Sequence, residues 1–134
     1  MEKKELKFLI IFFYYNRPDM VRNALNSINK LKYKNFEIAF IDDGSDKPGE
    51  PIVRSILKPS FLKKVKFIET NDTVQNKIER GGSEIGRYAN RAVRESDADI
   101  VLMLCDDDAL VPNYLNNLNR FYNHNPKIYY AYCK

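Results

Sequence analysis

Five carboxylates standing at the ends of two apolar runs are the residues of this chain best equipped for chemistry. The run Ile100 to Leu104 passes through Cys105 directly into Asp106, Asp107 and Asp108, and the segment is closed by Pro112. A buried strand that delivers three carboxylates to its C-terminal mouth creates like-charge repulsion, which a cation or strong hydrogen bonding must offset. Hard oxygen ligands suit Mg²⁺ or Mn²⁺ bridging to a diphosphate. The other reading is a solvated acidic loop capping a helix that begins near Pro112. The pair Asp42-Asp43, before Gly44-Ser45, also ends an apolar run, Phe36 to Ile41. Open α/β sheets bind ligands at that end of their strands. Gly44 permits a tight turn, and a carboxylate there can accept hydrogen bonds from a base N–H or from ribose hydroxyls. An Asx turn is the alternative for this pair.

A third segment, Phe13-Tyr14-Tyr15-Asn16-Arg17-Pro18, leaves an apolar run at the same edge. The Tyr15 ring can stack on a nucleobase and Asn16 offers an amide beside it, whereas core packing is the other use of a strand tyrosine. Arg80, Arg87 and Arg91 flank Gly81-Gly82 and the helix that follows. Their forked donors suit phosphate or uracil oxygens, unless they simply coat a solvated helix face.

Apolar and helical segments alternate along the chain, which predicts a mainly parallel sheet with helices on both faces. The expected strands are Lys7 to Phe13, Phe36 to Ile41, Val65 to Glu69, Ile100 to Leu104 and Ile128 to Tyr132. Between them the spacing of Val21, Leu25, Ile28 and Leu31 predicts a helix opened by Pro18. A short helix is expected over Ile52 to Leu57, another from Ser83 to Arg94, and a last one carrying Tyr114, Leu115, Leu118 and Phe121. Asn71 to Glu84 is polar, contains Gly81-Gly82, and reads as a mobile loop beside the site.

The 134 residues make one domain with a core of useful size. Net charge is +4, from 22 Lys+Arg against 18 Asp+Glu, with the basic residues spread out, so nucleic acid is not indicated. Phe8 to Tyr15 is too short for a signal peptide, and no apolar run approaches the roughly 20 residues that span a bilayer. Cys105 and Cys133 have neither metal-ligand nor redox spacing and read as reduced packing residues in a soluble, cytoplasmic protein. The lone His124 lies on a polar stretch and reads as a surface residue.

Taken together, the motifs resemble the family 2 glycosyltransferases, inverting enzymes of GT-A fold that use nucleotide-sugars. The resemblance rests on Tyr15-Asn16-Arg17-Pro18, Ile41-Asp42-Asp43-Gly44-Ser45, Arg87-Tyr88-Ala89-Asn90-Arg91-Ala92, and Leu104-Cys105-Asp106-Asp107-Asp108 with Pro112, in that order over nearly the whole chain. It implies a GT-A, Rossmann-like α/β domain over residues 1–134 and a nucleotide-diphospho-sugar donor, with UDP-sugar first among the candidates. It also implies that Asp43 accepts the base N–H, Tyr15 lines the base pocket, Asp106 meets the ribose and Asp107 the metal, Mn²⁺ or Mg²⁺. Asn16, Arg17, Asp42, Arg80 and Arg87 complete the expected nucleotide-binding set. Fixing the register of the family's DxD motif on Pro112 places its first acid at Cys105 and favours Asp107 as ligand. The alternative register pairs Asp106 with Asp108.

The family's general base and acceptor-binding elements belong to a second half, so this chain is expected to be the donor-binding half, truncated before that point. The sugar or lipid-linked acceptor is not indicated. A fifth strand without its usual neighbour would favour self-association. Two rivals are a non-catalytic nucleotide-binding or assembly module and a phosphoacceptor receiver domain. The receiver is disfavoured because its acidic pair follows the first strand, where Tyr-Asn-Arg-Pro stands here.

Overall fold

The computed structural model describes residues 3–132. Its centre is β1 (Phe8–Tyr14), a run of seven residues buried at all but one position. Near-continuous burial of this kind marks a strand covered on both faces. It is flanked by β2 (Phe36–Asp42) and β4 (Ile100–Cys105), and β3 (Val65–Glu69) extends the sheet beyond β2. All three pairings are parallel, in the order β3-β2-β1-β4, with Phe8 opposite both Phe36 and Ile100.

Strand alternation divides the core in two. Phe8, Ile10, Phe12 and Tyr14 face one side, where α1 (Met20–Asn29) contributes Val21, Ala24, Leu25 and Ile28. That layer is completed by Val53 of α2 (Glu50–Ile56), Phe61 of α3 (Pro59–Leu62) and Leu115 of α6 (Tyr114–His124). Leu9 and Ile11 face the other side, where Ala39, Ile41 and, from α5 (Ile85–Glu95), Ala89 and Ala92 form a thinner layer. The α/β sandwich expected from the alternating pattern is therefore present, with helices on both faces.

Three expectations change. Asn71 to Glu84, expected as a mobile loop, is not loop throughout, because it contains α4 (Val74–Arg80). Thr73 caps that helix by accepting the Asn76 N–H at 3.1 Å, and Gly81 at φ 81° ends it. Ile128 to Tyr132 forms no strand among the described residues, and Tyr129 and Tyr130 are 95 % and 79 % exposed. Apolar and aromatic residues make a strand only when a partner edge satisfies their backbone. Here an open groove of about 470 Å³ separates Tyr129–Ala131 from β4. Cys105 ends β4 but is exposed rather than packed. Cys133 lies outside the described residues. His124 is on the surface, as expected, with Nδ1 at 2.7 Å from the Arg120 carbonyl.

Candidate nucleotide-binding site

Strand order runs outward from β1 to β2 and β3 on one side and jumps to β4 on the other, so the topological switch point lies between β1 and β4. The crevice outside the carboxyl ends of such strands is where open α/β sheets place ligands. A pocket of about 300 Å³ opens at that point, lined by Phe13, Tyr14, Tyr15, Arg17, Asp43, Ile85, Cys105, Asp106 and Asp107. Register brings the segments together: Tyr14 stands opposite Asp42, and Phe13 opposite Cys105.

The loop after β2 is built by Asp42. Its carboxylate is 4 % exposed and accepts the Ser45 N–H at 3.1 Å and the Gly49 N–H at 2.9 Å. Both oxygens therefore hold the loop. Gly49 lies against the rings of Phe40 and Tyr14, where a Cβ would come within 2.6 Å and 2.8 Å. Asn16, at φ 47°, ties the β1 loop to this one. Its N–H donates to Ser45 Oγ at 3.0 Å and its side-chain oxygen accepts the Lys47 N–H at 3.0 Å. Beneath them the Tyr14 hydroxyl donates to the Lys47 carbonyl at 2.7 Å. Burial, reinforced by the charges of Asp42 and Asp106, pushes that phenol above its usual range.

Asp106 is 5 % exposed. One oxygen accepts the Tyr15 N–H at 3.1 Å, and the other meets Arg17 Nη1 at 3.3 Å. The same Nη1 lies 3.2 Å from Asp107. Arg17 is thus the internal counter-ion for the acidic mouth, a role the sequence left to a cation. Asp108 turns back to accept the Cys105 N–H at 3.1 Å. Partial desolvation within the cluster, and then the three neighbouring carboxylates, raise the Cys105 thiol.

For a divalent ion, Cys105, Asp107 and Asp108 each offer one ligand atom, all within 4.8 Å of one another. The carboxylates suit a hard ion such as Mg²⁺ or Mn²⁺, whereas a thiol kept protonated does not. Asp107 stays 44 % exposed although it pairs with Arg17.

Asp43, 7 % exposed, sits under the segment that carries α4. Thr70 Oγ1 and Ser83 Oγ donate to its carboxylate at 3.1 Å and 2.9 Å, and Lys77 Nζ lies 3.0 Å from Oδ2. Lys77 also donates to the Asp43 carbonyl at 2.7 Å and rides 4.3 Å above the Tyr15 ring centroid. The path of this segment depends on Gly44 at φ 75°, where a Cβ would stand 2.3 Å from the Asp72 carbonyl oxygen. Arg80 does not reach the pocket. It is bound by buried Asp72 at 2.5 Å and by the Gly82 carbonyl at 2.8 Å. The Arg80 hydrogen bond holds the Asp72 carboxyl below its ordinary value. Arg87 pairs with Glu84 at 3.4 Å with its side chain 78 % exposed, and Arg91 pairs with Glu95.

The pocket accordingly gathers Tyr15, Arg17, Asp43, Asp106 and Asp107; Asn16 and Asp42 shape its loops, and Arg80 and Arg87 stand away from it. Sequence reasoning missed Lys77, Ser83, Thr70 and Asp72. The signal was available for Lys77: a Thr cap at position 73 and a Gly stop at 81 bracket a helix with Lys77 and Arg80 in its last turn.

The all-parallel sheet with acidic strand ends at its switch point fits a GT-A type domain. The chain belongs to glycosyl transferase family 2, whose model matches residues 9–133. Protein CgeD of Bacillus subtilis (strain 168) is 24 % identical over 132 residues, a match covering 96 % of this chain and 29 % of CgeD. An uncharacterized glycosyltransferase of Haemophilus influenzae is 28 % identical over 123 residues, covering 92 % and 37 %. The chain therefore spans about a third of these relatives.

Among solved structures, S. aureus TarS 1–349 superposes with a TM-score of 0.67 at 25 % identity, covering 89 % of this chain and 33 % of that one. The same fragment in complex with UDP gives 0.67 at 23 %, covering 89 % and 32 %. A mannosyltransferase from Pyrobaculum calidifontis, in complex with GDP-Man and Mn²⁺, gives 0.63 at 18 %, covering 85 % and 32 %. Among the described residues no helix is long and apolar enough to cross a membrane.

Proposed function

We propose that this domain binds the nucleotide-diphospho-sugar donor of an inverting glycosyltransferase, with a UDP-sugar as the donor. The observation that carries the reading is the convergence of Asp43, Tyr15, Arg17, Asp106 and Asp107 on one pocket at the sheet's switch point. In this reading Asp43 accepts the ring N–H of uracil, and the 38 % exposed Tyr15 ring stacks on the base. Asp106 orients the Tyr15 backbone and Arg17, and lies where a ribose would sit. Asp107, with Asp108 beside it, would hold Mn²⁺ or Mg²⁺, which when bound would offset the charge of the departing diphosphate. Arg17, beside Asp106 and Asp107, offers a guanidinium to the phosphates. The UDP and the GDP-Man and Mn²⁺ bound by proteins of the same fold support this assignment.

Calorimetry with UDP, GDP and dTDP, each with Mn²⁺ and with chelator, tests it. Metal-dependent binding of UDP is expected. Equal affinity with chelator and with Mn²⁺ would remove the metal role, and no binding of any nucleotide would remove the reading.

A further inference from the structure

The residue best placed to regulate this pocket is Lys77. Its ammonium lies 3.0 Å from Asp43 Oδ2 and 4.3 Å above the Tyr15 centroid, and donates to the Asp43 carbonyl at 2.7 Å. A flat base stacked on Tyr15 with its N–H on Asp43 must fill the space this ammonium holds. One internal cation therefore covers both recognition groups.

The helix that carries Lys77 has little else to keep it in place. None of its residues is buried, and its apolar side chains Val74 and Ile78 are 56 % and 68 % exposed. Its last turn has one further anchor, Arg80, which joins buried Asp72 just before the helix at 2.5 Å and leaves Lys77 as the tie over the pocket. Its ends carry the left-handed residues Asn71, at φ 52°, and Gly81, at φ 81°. What ties it over the pocket is Asp43, through Lys77 and through Ser83 Oγ at 2.9 Å. An element held by a few polar contacts belongs to the low-stability end of a fold, where local opening is easy.

We infer that α4 is a latch whose bolt is Lys77, closed onto Asp43 when the pocket is free and released when a nucleobase takes Asp43 and Tyr15. The inference rests on the donor-site reading for the identity of the ligand, but not for the existence of the latch. Base binding and α4 docking then compete for the same carboxylate. If the closed form predominates tenfold, the apparent affinity is lowered about tenfold relative to a protein without the bolt.

Hydrogen exchange at the amides of residues 74–80, referenced to β1, tests this in wild type, Lys77→Met and Ser83→Ala, each free and with UDP plus Mn²⁺. Free Lys77→Met should exchange at these amides about tenfold faster than wild type while β1 remains the most protected element, and Ser83→Ala should show a smaller rise at residues 74–80. UDP should speed exchange at 74–80 in wild type, and Lys77→Met should bind UDP more tightly. Unchanged exchange in the free variants would overturn the latch. So would weaker UDP binding by Lys77→Met, or slowing of 74–80 by UDP, because Lys77 would then grip the nucleotide rather than exclude it. Faster exchange in free Lys77→Met with no UDP binding by any protein would uphold the latch and overturn the donor-site reading.

Discussion

Replacing Asp43 by Asn changes one atom's chemistry and should change both stability and base preference. The carboxylate receives hydroxyl donors from Thr70 and Ser83, and the Lys77 ammonium at 3.0 Å. At that distance and an effective dielectric of about 20, the ion pair is worth about 5.5 kcal/mol before desolvation. Taking both charges largely out of water cancels most of that, leaving a net loss of about 1–2 kcal/mol. A domain of this size responds with a fall in Tm of about 4–8 °C.

The base preference is the sharper readout. A carboxylate accepts the uracil N3–H but leaves the bare N3 of cytosine unpaired, so wild type should prefer UDP over CDP by about 10–100-fold. An Asn amide can present either its oxygen or its NH₂, so Asp43→Asn should lose UDP affinity and bring UDP and CDP to within a few-fold of each other. Calorimetry with both nucleotides in saturating Mn²⁺ measures this. Equal affinity of wild type for UDP and CDP, or an unchanged preference in Asp43→Asn, would refute the assignment of Asp43.

Asp107→Asn should weaken Mn²⁺-dependent UDP binding at least tenfold while moving the urea midpoint negligibly, because its exposed pair with Arg17 contributes about 0–1 kcal/mol. A protein that unfolds on this change would mark Asp107 as structural. Gly44→Ala places a Cβ 2.3 Å from the Asp72 carbonyl at a left-handed backbone position, and should cost about 2–4 kcal/mol in urea denaturation; a cost below about 1 kcal/mol would mean the segment shifts freely. Burial raises Tyr33 from 10.0 to about 12, so the neutral phenol stabilises the fold fully below pH 10 and that contribution is lost as pH rises through about 12. Over that window wild type should lose more stability than Tyr33→Phe, and parallel losses would contradict the shift. The face of edge strand β4 that continues Leu9 and Ile11 exposes Val101 at 41 % and Met103 at 71 %, so sedimentation should show concentration-dependent association that Met103→Lys abolishes; a monomer at every concentration would contradict it.

The strands that carry the site were legible because their signals are local. Phe8 to Tyr14 is apolar at nearly every position, and Asp42-Asp43 and Asp106 to Asp108 end apolar runs, so a parallel sheet with an acidic C-terminal edge follows from pattern alone. What escaped were partnerships set by tertiary distance. Arg17 meets Asp106 and Asp107 across 89 and 90 residues, and Lys77 meets Asp43 across 34. No periodicity encodes either. Arg80 and Lys77 occupy the same last turn of α4, yet buried Asp72 captures the first and leaves the second over the pocket. The tyrosine-rich stretch from Ile128 to Tyr132 has strand-forming residues yet lies across an open groove from β4, a separation that composition cannot express.

In the proposed reading, one pocket at the β1–β4 switch point binds a nucleoside diphosphate. Backbone amide NMR of the domain during a UDP titration with Mg²⁺ locates that binding residue by residue. Saturable shifts should gather at Tyr15 to Arg17, Asp43 to Ser45, Asp106 to Asp108 and α4, and should collapse on adding chelator. Shifts confined to the groove between β4 and Tyr129–Ala131, or a titration that moves no amide at the three strand ends, would contradict the account.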